Sequence, residues 1–115
     1  MTRPEALDGA TTKIKPSCLD HAVYITINNH NGKPYEMFLK CDQPELHQFF
    51  AWLAISTTEL FHNIDEDRVV EMMLRIFDDR GGYGGFGPKH HNSVVAHIGA
   101  VLKKHIEKKC EPKRI

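Results

Sequence analysis

HAVYITINNHNGKPYEMFLK, residues 21–40, decides the fold of this 115-residue chain. Val23, Ile25 and Ile27 alternate with Tyr24, Thr26 and Asn28, the period-two pattern of a strand with one buried face. Tyr35, Met37 and Leu39 alternate in the same way with Glu36, Phe38 and Lys40. Between the two runs, Asn31-Gly32 is a residue pair favoured in two-residue turns with positive φ at both positions. The stretch therefore reads as a β-hairpin. A lone hairpin is marginal in water, so a helix must cover one face, and another strand or a partner chain must meet an edge. Upstream, Thr11 to Lys15 can supply a short edge strand, ended by Pro16. Residues 1–10 are polar, contain Pro4 and Gly9, and read as a disordered arm ahead of a single domain over 11–115.

Downstream the period changes to that of helices. Asp42-Gln43-Pro44-Glu45 carries a helix start, with Asp42 as the cap, Pro44 in the first turn and Glu45 three residues on. Leu46, Phe49, Phe50, Leu53, Leu60 and Phe61 form an apolar stripe, which Ala51, Trp52 and Ile55 widen beyond one face. This helix is expected to form the core, with Trp52 as packing and the surplus apolar surface as an oligomer contact. Asp65 caps a shorter helix carried by Val69, Val70, Met73, Ile76 and Phe77, with Asp67, Arg68, Glu71 and Arg75 outward. Val94 to Lys108 is the third, with Val94, Val95, Ile98, Val101, Leu102 and Ile106 inward. Lys103, Lys104, Lys108, Lys109, Lys113 and Arg114 crowd its end, where cations suit the helix dipole. The expected fold class is α+β: an antiparallel hairpin of two or three strands, extended by oligomerisation, packed against three α-helices.

Composition narrows the function classes. Fifteen basic and fifteen acidic residues leave no net charge, so strong non-specific nucleic-acid binding is not implied and no direct nucleic-acid binding is expected. No apolar run approaches membrane-spanning length, and the N-terminus lacks the apolar core of a secretory signal. Cys18, Cys41 and Cys110 are odd in number and widely spaced, which argues for reduced thiols and a cytoplasmic setting (the host cytoplasm for a viral protein). Cys18-x-x-His21 with Cys41 offers three soft ligands, but the spacing is not that of a zinc knuckle. No metal and no cofactor are expected. There is no G-x-S-x-G string, and Asp78-Asp79 are sequence neighbours that generally point apart, so no catalytic residues are assigned.

The candidate site is FDDRGGYGGFGPKHHNSVVAHIG, Phe77 to Gly99, which holds six of the eight glycines. Pro88 stops a helix running through it, and Asn92 or Ser93 can cap a new one. A glycine loop feeding a helix N-terminus suits an anion. Gly82 to Gly87 matches G-x-G-x-x-G, but the segment before it has helical periodicity and not the strand a dinucleotide site needs. The expected ligand contacts are Arg80, Gly82, Tyr83, Gly84, Gly85, Phe86, Lys89, His91, Asn92 and Ser93, with a base on Phe86 or Tyr83 and phosphates on the amides and cations. The lysines of the last helix could add a second positive wall. The alternative is a plain surface loop between two helices.

Tyr24-Ile25-Thr26-Ile27, followed by Asn31-Gly32-Lys33-Pro34-Tyr35-Glu36-Met37-Phe38-Leu39, resembles the TSCPD domain. That domain stands at the C-terminal end of vitamin B12-dependent ribonucleotide reductases and also occurs as short stand-alone proteins. The apolar helix around Ala51 to Leu60 takes the place of the family's long helix. Phe77 to Tyr83 and Ser93 to Gly99 echo stand-alone members. The reductase barrel, its radical cysteines and its cobalamin site are absent, so reductase activity does not carry over. In layout, the sheet followed by helices also resembles small phage proteins of the Thoeris anti-defence class, which sequester cyclic nucleotide or cyclic ADP-ribose-type signals between subunits.

Two functional expectations result. One is a non-catalytic homo-oligomeric module that binds a nucleotide-type small ligand. The other is an accessory or regulatory domain that docks on a partner such as a ribonucleotide reductase and binds nothing small.

Overall fold

The computed structural model describes residues 2–16, 18–76, 83–84, 90–91 and 93–110. Among these the chain forms β1 (Asp8–Ile14), β2 (Val23–His30), β3 (Lys33–Cys41), a 3₁₀ turn (Pro44–Leu46), α1 (His47–Asn63), α2 (Glu66–Leu74), β4 (Tyr83–Gly84), β5 (His90–His91) and α3 (Val94–Cys110). The first three strands make an antiparallel sheet in the order β1-β2-β3. The class is α+β, as the hydrophobic pattern predicts.

The hairpin closes as its turn residues require. Asn31 and Gly32 have φ of 54° and 79°, and His30 stands opposite Lys33. Positive φ at both central positions gives a turn whose twist matches that of the flanking strands. The alternation then sorts the side chains. Val23, Ile25, Ile27 and Met37 lie on the inner face and are almost wholly buried. They meet Phe50 of α1, Val69, Val70 and Met73 of α2, and Ile98 and Leu102 of α3 in one core cluster.

Helix α1 also covers the free edge of β3. Thr58 Oγ1 accepts from the Met37 N–H at 3.0 Å and donates to the Met37 carbonyl at 3.3 Å. One turn on, His62 Nε2 donates to the Tyr35 carbonyl at 2.9 Å, and its ring packs on Tyr35 at 4.5 Å between centroids. A strand edge that would otherwise recruit another strand is met by helix side chains. Within the sheet, β1 meets one edge of the hairpin and α1 meets the other. Among the described residues, the edge without a partner belongs to β1, which pairs with β2 alone.

Helices α2 and α3 cross closely. A Cβ on Gly99 would stand 2.8 Å from the Met73 Cβ, so the crossing needs a residue without one. His105 Nε2 donates to Asn29 Oδ1 at 3.0 Å and ties α3 to β2. Asp65 caps α2 as expected, accepting from the Asp67 N–H at 3.4 Å.

Three other expectations change. Asp42 does not cap α1. The chain enters through the 3₁₀ turn after Gln43, without a side-chain cap. Pro44 has no N–H to satisfy, and the Leu46 N–H bonds the Gln43 carbonyl at 3.1 Å, so little is left for a cap to do. Strand β1 begins at Asp8, inside the span expected to be a disordered arm, because three more residues find register partners in Ile27, Asn28 and Asn29. Trp52, expected to pack, is 72% exposed. The core side of α1 is already filled by Phe50, Ala54 and Thr57, and Trp52 projects on the opposite side.

Thr58→Val should lower stability by about 1–3 kcal/mol in urea denaturation, since it strips the Met37 peptide of both partners. Thr58→Ser should retain most of that stability. A loss in Thr58→Ser with none in Thr58→Val would mean that methyl packing, and not the edge hydrogen bonds, holds α1 in place.

Candidate functional site

The glycine-rich segment contributes one described feature. Tyr83 pairs with His91 and Gly84 with His90, antiparallel, in a short ladder beside the start of α3. Arg80, Gly82, Gly85, Phe86, Lys89 and Asn92 lie outside the described residues. Ser93 is placed, and its hydroxyl is committed. It donates to the Ile76 carbonyl at 2.7 Å and accepts from the Ala96 N–H at 3.0 Å. That is the helix cap expected of it, and it also closes the end of α2 onto the start of α3. Ser93 is buried, and both bonds of its hydroxyl serve the junction of the two helices.

A second feature shows in the sequence only as surplus apolar surface. Along α1, Phe49, Trp52 and Ile55 are 63%, 72% and 64% exposed. Beside them runs an apolar groove of about 380 Å³, bounded by Leu19, Leu46, Phe50, Leu53, Val94 and Val95. Residues of α1, of the N-terminus of α3 and of the link before β2 thus converge on one surface. Its walls are aliphatic and aromatic, without a charged side chain, and Cys18 lies at its edge. Such a groove can take an apolar anchor from another molecule. It offers no general acid, base or nucleophile set. Cys18, His21 and Cys41 do not gather: among the described residues no three His, Cys, Asp or Glu side chains come together as they would around a metal ion.

A family model described as the TSCPD domain matches residues 1–106. The chain belongs to the TSCPD domain family. No curated protein and no solved structure matches it. No helix among the described residues is long and apolar enough to cross a membrane.

The span of the TSCPD match includes a polar latch on the outer face of the sheet. Arg3 meets Glu36 in bidentate fashion, Nε to Oε1 at 2.7 Å and Nη2 to Oε2 at 2.9 Å. Asn28 Nδ2 donates to the same Oε2 at 2.7 Å. The Glu36 side chain is 6% exposed and that of Arg3 47%. Planar fork geometry and charge make this a strong form of hydrogen bond. It secures the segment before β1 across the sheet, which accounts for order where composition alone suggests none. Arg3 holds the Glu36 carboxyl below its ordinary value; burial opposes this and the Asn28 amide adds to it. The ion pair spans 33 positions, so no local motif could reveal it.

The sign of the pH effect is fixed by that lowering. Glu36 contributes stability that is fully present above its ordinary value of about 4.5 and is lost as pH falls through its lower native value. In Arg3→Gln, Glu36 should titrate at higher pH in a carboxyl-resolved NMR titration, and the loss of stability linked to Glu36 below about 4.5 should shrink. An unmoved Glu36 titration would show that the latch does not form in solution.

Proposed function

We propose that this TSCPD chain is a non-catalytic interaction domain that docks on a partner protein through the apolar face of α1. The observation that carries the reading is the exposure of Phe49, Trp52 and Ile55 beside the groove. Large contiguous apolar exposure on a folded domain marks an interaction site, and tryptophan at the centre of such a patch is a common energetic anchor. The family relation supplies the partner class, a ribonucleotide reductase, for which the chain would act as an accessory or regulatory domain.

Trp52 is the chain's one tryptophan, so its emission reports on this face directly. Titrating a purified reductase subunit should shift the emission to shorter wavelength. Trp52→Ala should weaken the complex by about 30-fold or more, as loss of an anchor worth about 2 kcal/mol does, while urea stability stays within about 0.5 kcal/mol. Saturating reductase that leaves the emission unchanged would remove the reading.

The β4–β5 pairing favours a second reading. It sets Tyr83 opposite His91 near the start of α3. On this reading the chain is a homo-oligomer that holds a nucleotide-type ligand, such as a cyclic nucleotide or cyclic ADP-ribose-type signal of a phage defence system. Arg80, Gly82, Tyr83, Gly84, Gly85, Phe86, Lys89, His91 and Asn92 would supply the contacts. A ligand that binds only the folded state raises the melting temperature. A thermal-shift series with mono-, di- and cyclic nucleotides should show a rise for one class, and light scattering should return more than a monomer mass. No rise across the series would leave the docking reading alone.

A further inference from the structure

We infer that the outer face of the β1-β2-β3 sheet is a binding platform for single-stranded nucleic acid. The helices cover the inner face, and the core there is complete. On the outer face two aromatic rings remain in solvent, Tyr24 at 41% and Phe38 at 54% exposure. Their places follow from the register. Lys13 and Lys40 stand opposite Tyr24 on either side, so one row across the sheet reads Lys-Tyr-Lys. The next row is Thr11, Thr26 and Phe38, with the two threonine hydroxyls 2.8 Å apart. Tyr24 and Phe38 are therefore diagonal neighbours on adjacent strands, within reach of one another's stacked partners. A shallow depression of about 490 Å³ lies between these rows.

The chemistry fits a base-and-phosphate chain. An antiparallel sheet whose exposed rings stack successive bases is a recurring way to hold single strands. Stacking is tolerant of sequence because every base has a π-face. The exposed lysines beside Tyr24 can meet the phosphates that flank a stacked base. On this side Glu36 is taken up by Arg3, and Asp42 lies at the rim of the depression. Zero net charge over the whole chain conceals this local balance. The Arg3 segment ends the platform at the Asn28–Glu36 row, so its length suits two bases. A flat duplex end presents no splayed bases to these rings, so single strands are the expected form.

The test is fluorescence anisotropy with labelled eight-nucleotide oligo(dT) and oligo(rU) in about 50 mM salt. Half-saturation is expected at about 1–100 µM, the range of non-specific binding. Tyr24→Ala and Phe38→Ala should each weaken binding by about 5- to 150-fold, with melting temperatures little changed because neither ring belongs to the core cluster. Replacing Lys13 and Lys40 by glutamine should reduce the salt slope by about 0.7 for each phosphate no longer neutralised. The inference is overturned by absence of binding at about 1 mM protein, by unaltered binding in both ring variants, or by equal affinity for duplex or for free uridine monophosphate. It is also overturned if Phe38→Ala converts an oligomer to monomer in light scattering, since the face is then an interface between copies of this chain. The assay uses no partner protein, so its failure leaves the docking reading untouched.

Discussion

The two hydrogen bonds between Thr58 and the Met37 peptide fix where the rest of the molecule sits. A three-stranded sheet has one face to bury and two edges to protect. Helix α1 serves both needs at once, with Phe50, Ala54 and Thr57 turned into the core and Thr58 and His62 turned onto the backbone of β3. Once the helix is held by its polar flank, its rotation is set. Phe49, Trp52 and Ile55 can then only face away from the sheet. The apolar groove is a geometric result of how the edge is satisfied.

Much of this is legible in the residues. The period-two alternation and Asn31-Gly32 specify the hairpin and its inner face. Asp65 and Ser93 announce two helix starts, because an N-cap is a local event between neighbours in sequence. The failures have separate physical causes. When a helix is apolar on more than one side, periodicity shows that it is apolar but not which side its own chain covers, and so Trp52 reads as core. The Arg3–Glu36 pair joins residues far apart in sequence, so a polar N-terminus cannot be told from an arm that a single ion pair would anchor. Asp42 misleads because Pro44 removes a donor and lets a backbone turn replace the cap. In the glycine segment the strand pairing of Tyr83 with His91 is not legible either, since two-residue strands carry no period.

The outer side of the sheet and the outer side of α1 differ in character in a way the sequence pattern alone conceals. Along α1, Phe49, Trp52 and Ile55 are exposed and the groove lining is uncharged, which suits another folded protein surface. Across the sheet the rings are separated by threonines and bordered by lysines, which suits a flexible, charged polymer. Each surface stands on a scaffold already closed on its other side, so neither has to rearrange the core to be used.

The sealed edge of β3 has a consequence for how copies of this chain can meet. Strand addition at a sheet continues without limit only when both edges accept a partner. Here α1 meets the Tyr35–Met37 stretch of the β3 margin, and among the described residues of this sheet β1 has the edge without a partner. Edge-to-edge association is therefore self-terminating: two sheets can join through β1 into one continuous six-stranded layer, and the outer margins of that layer are both capped.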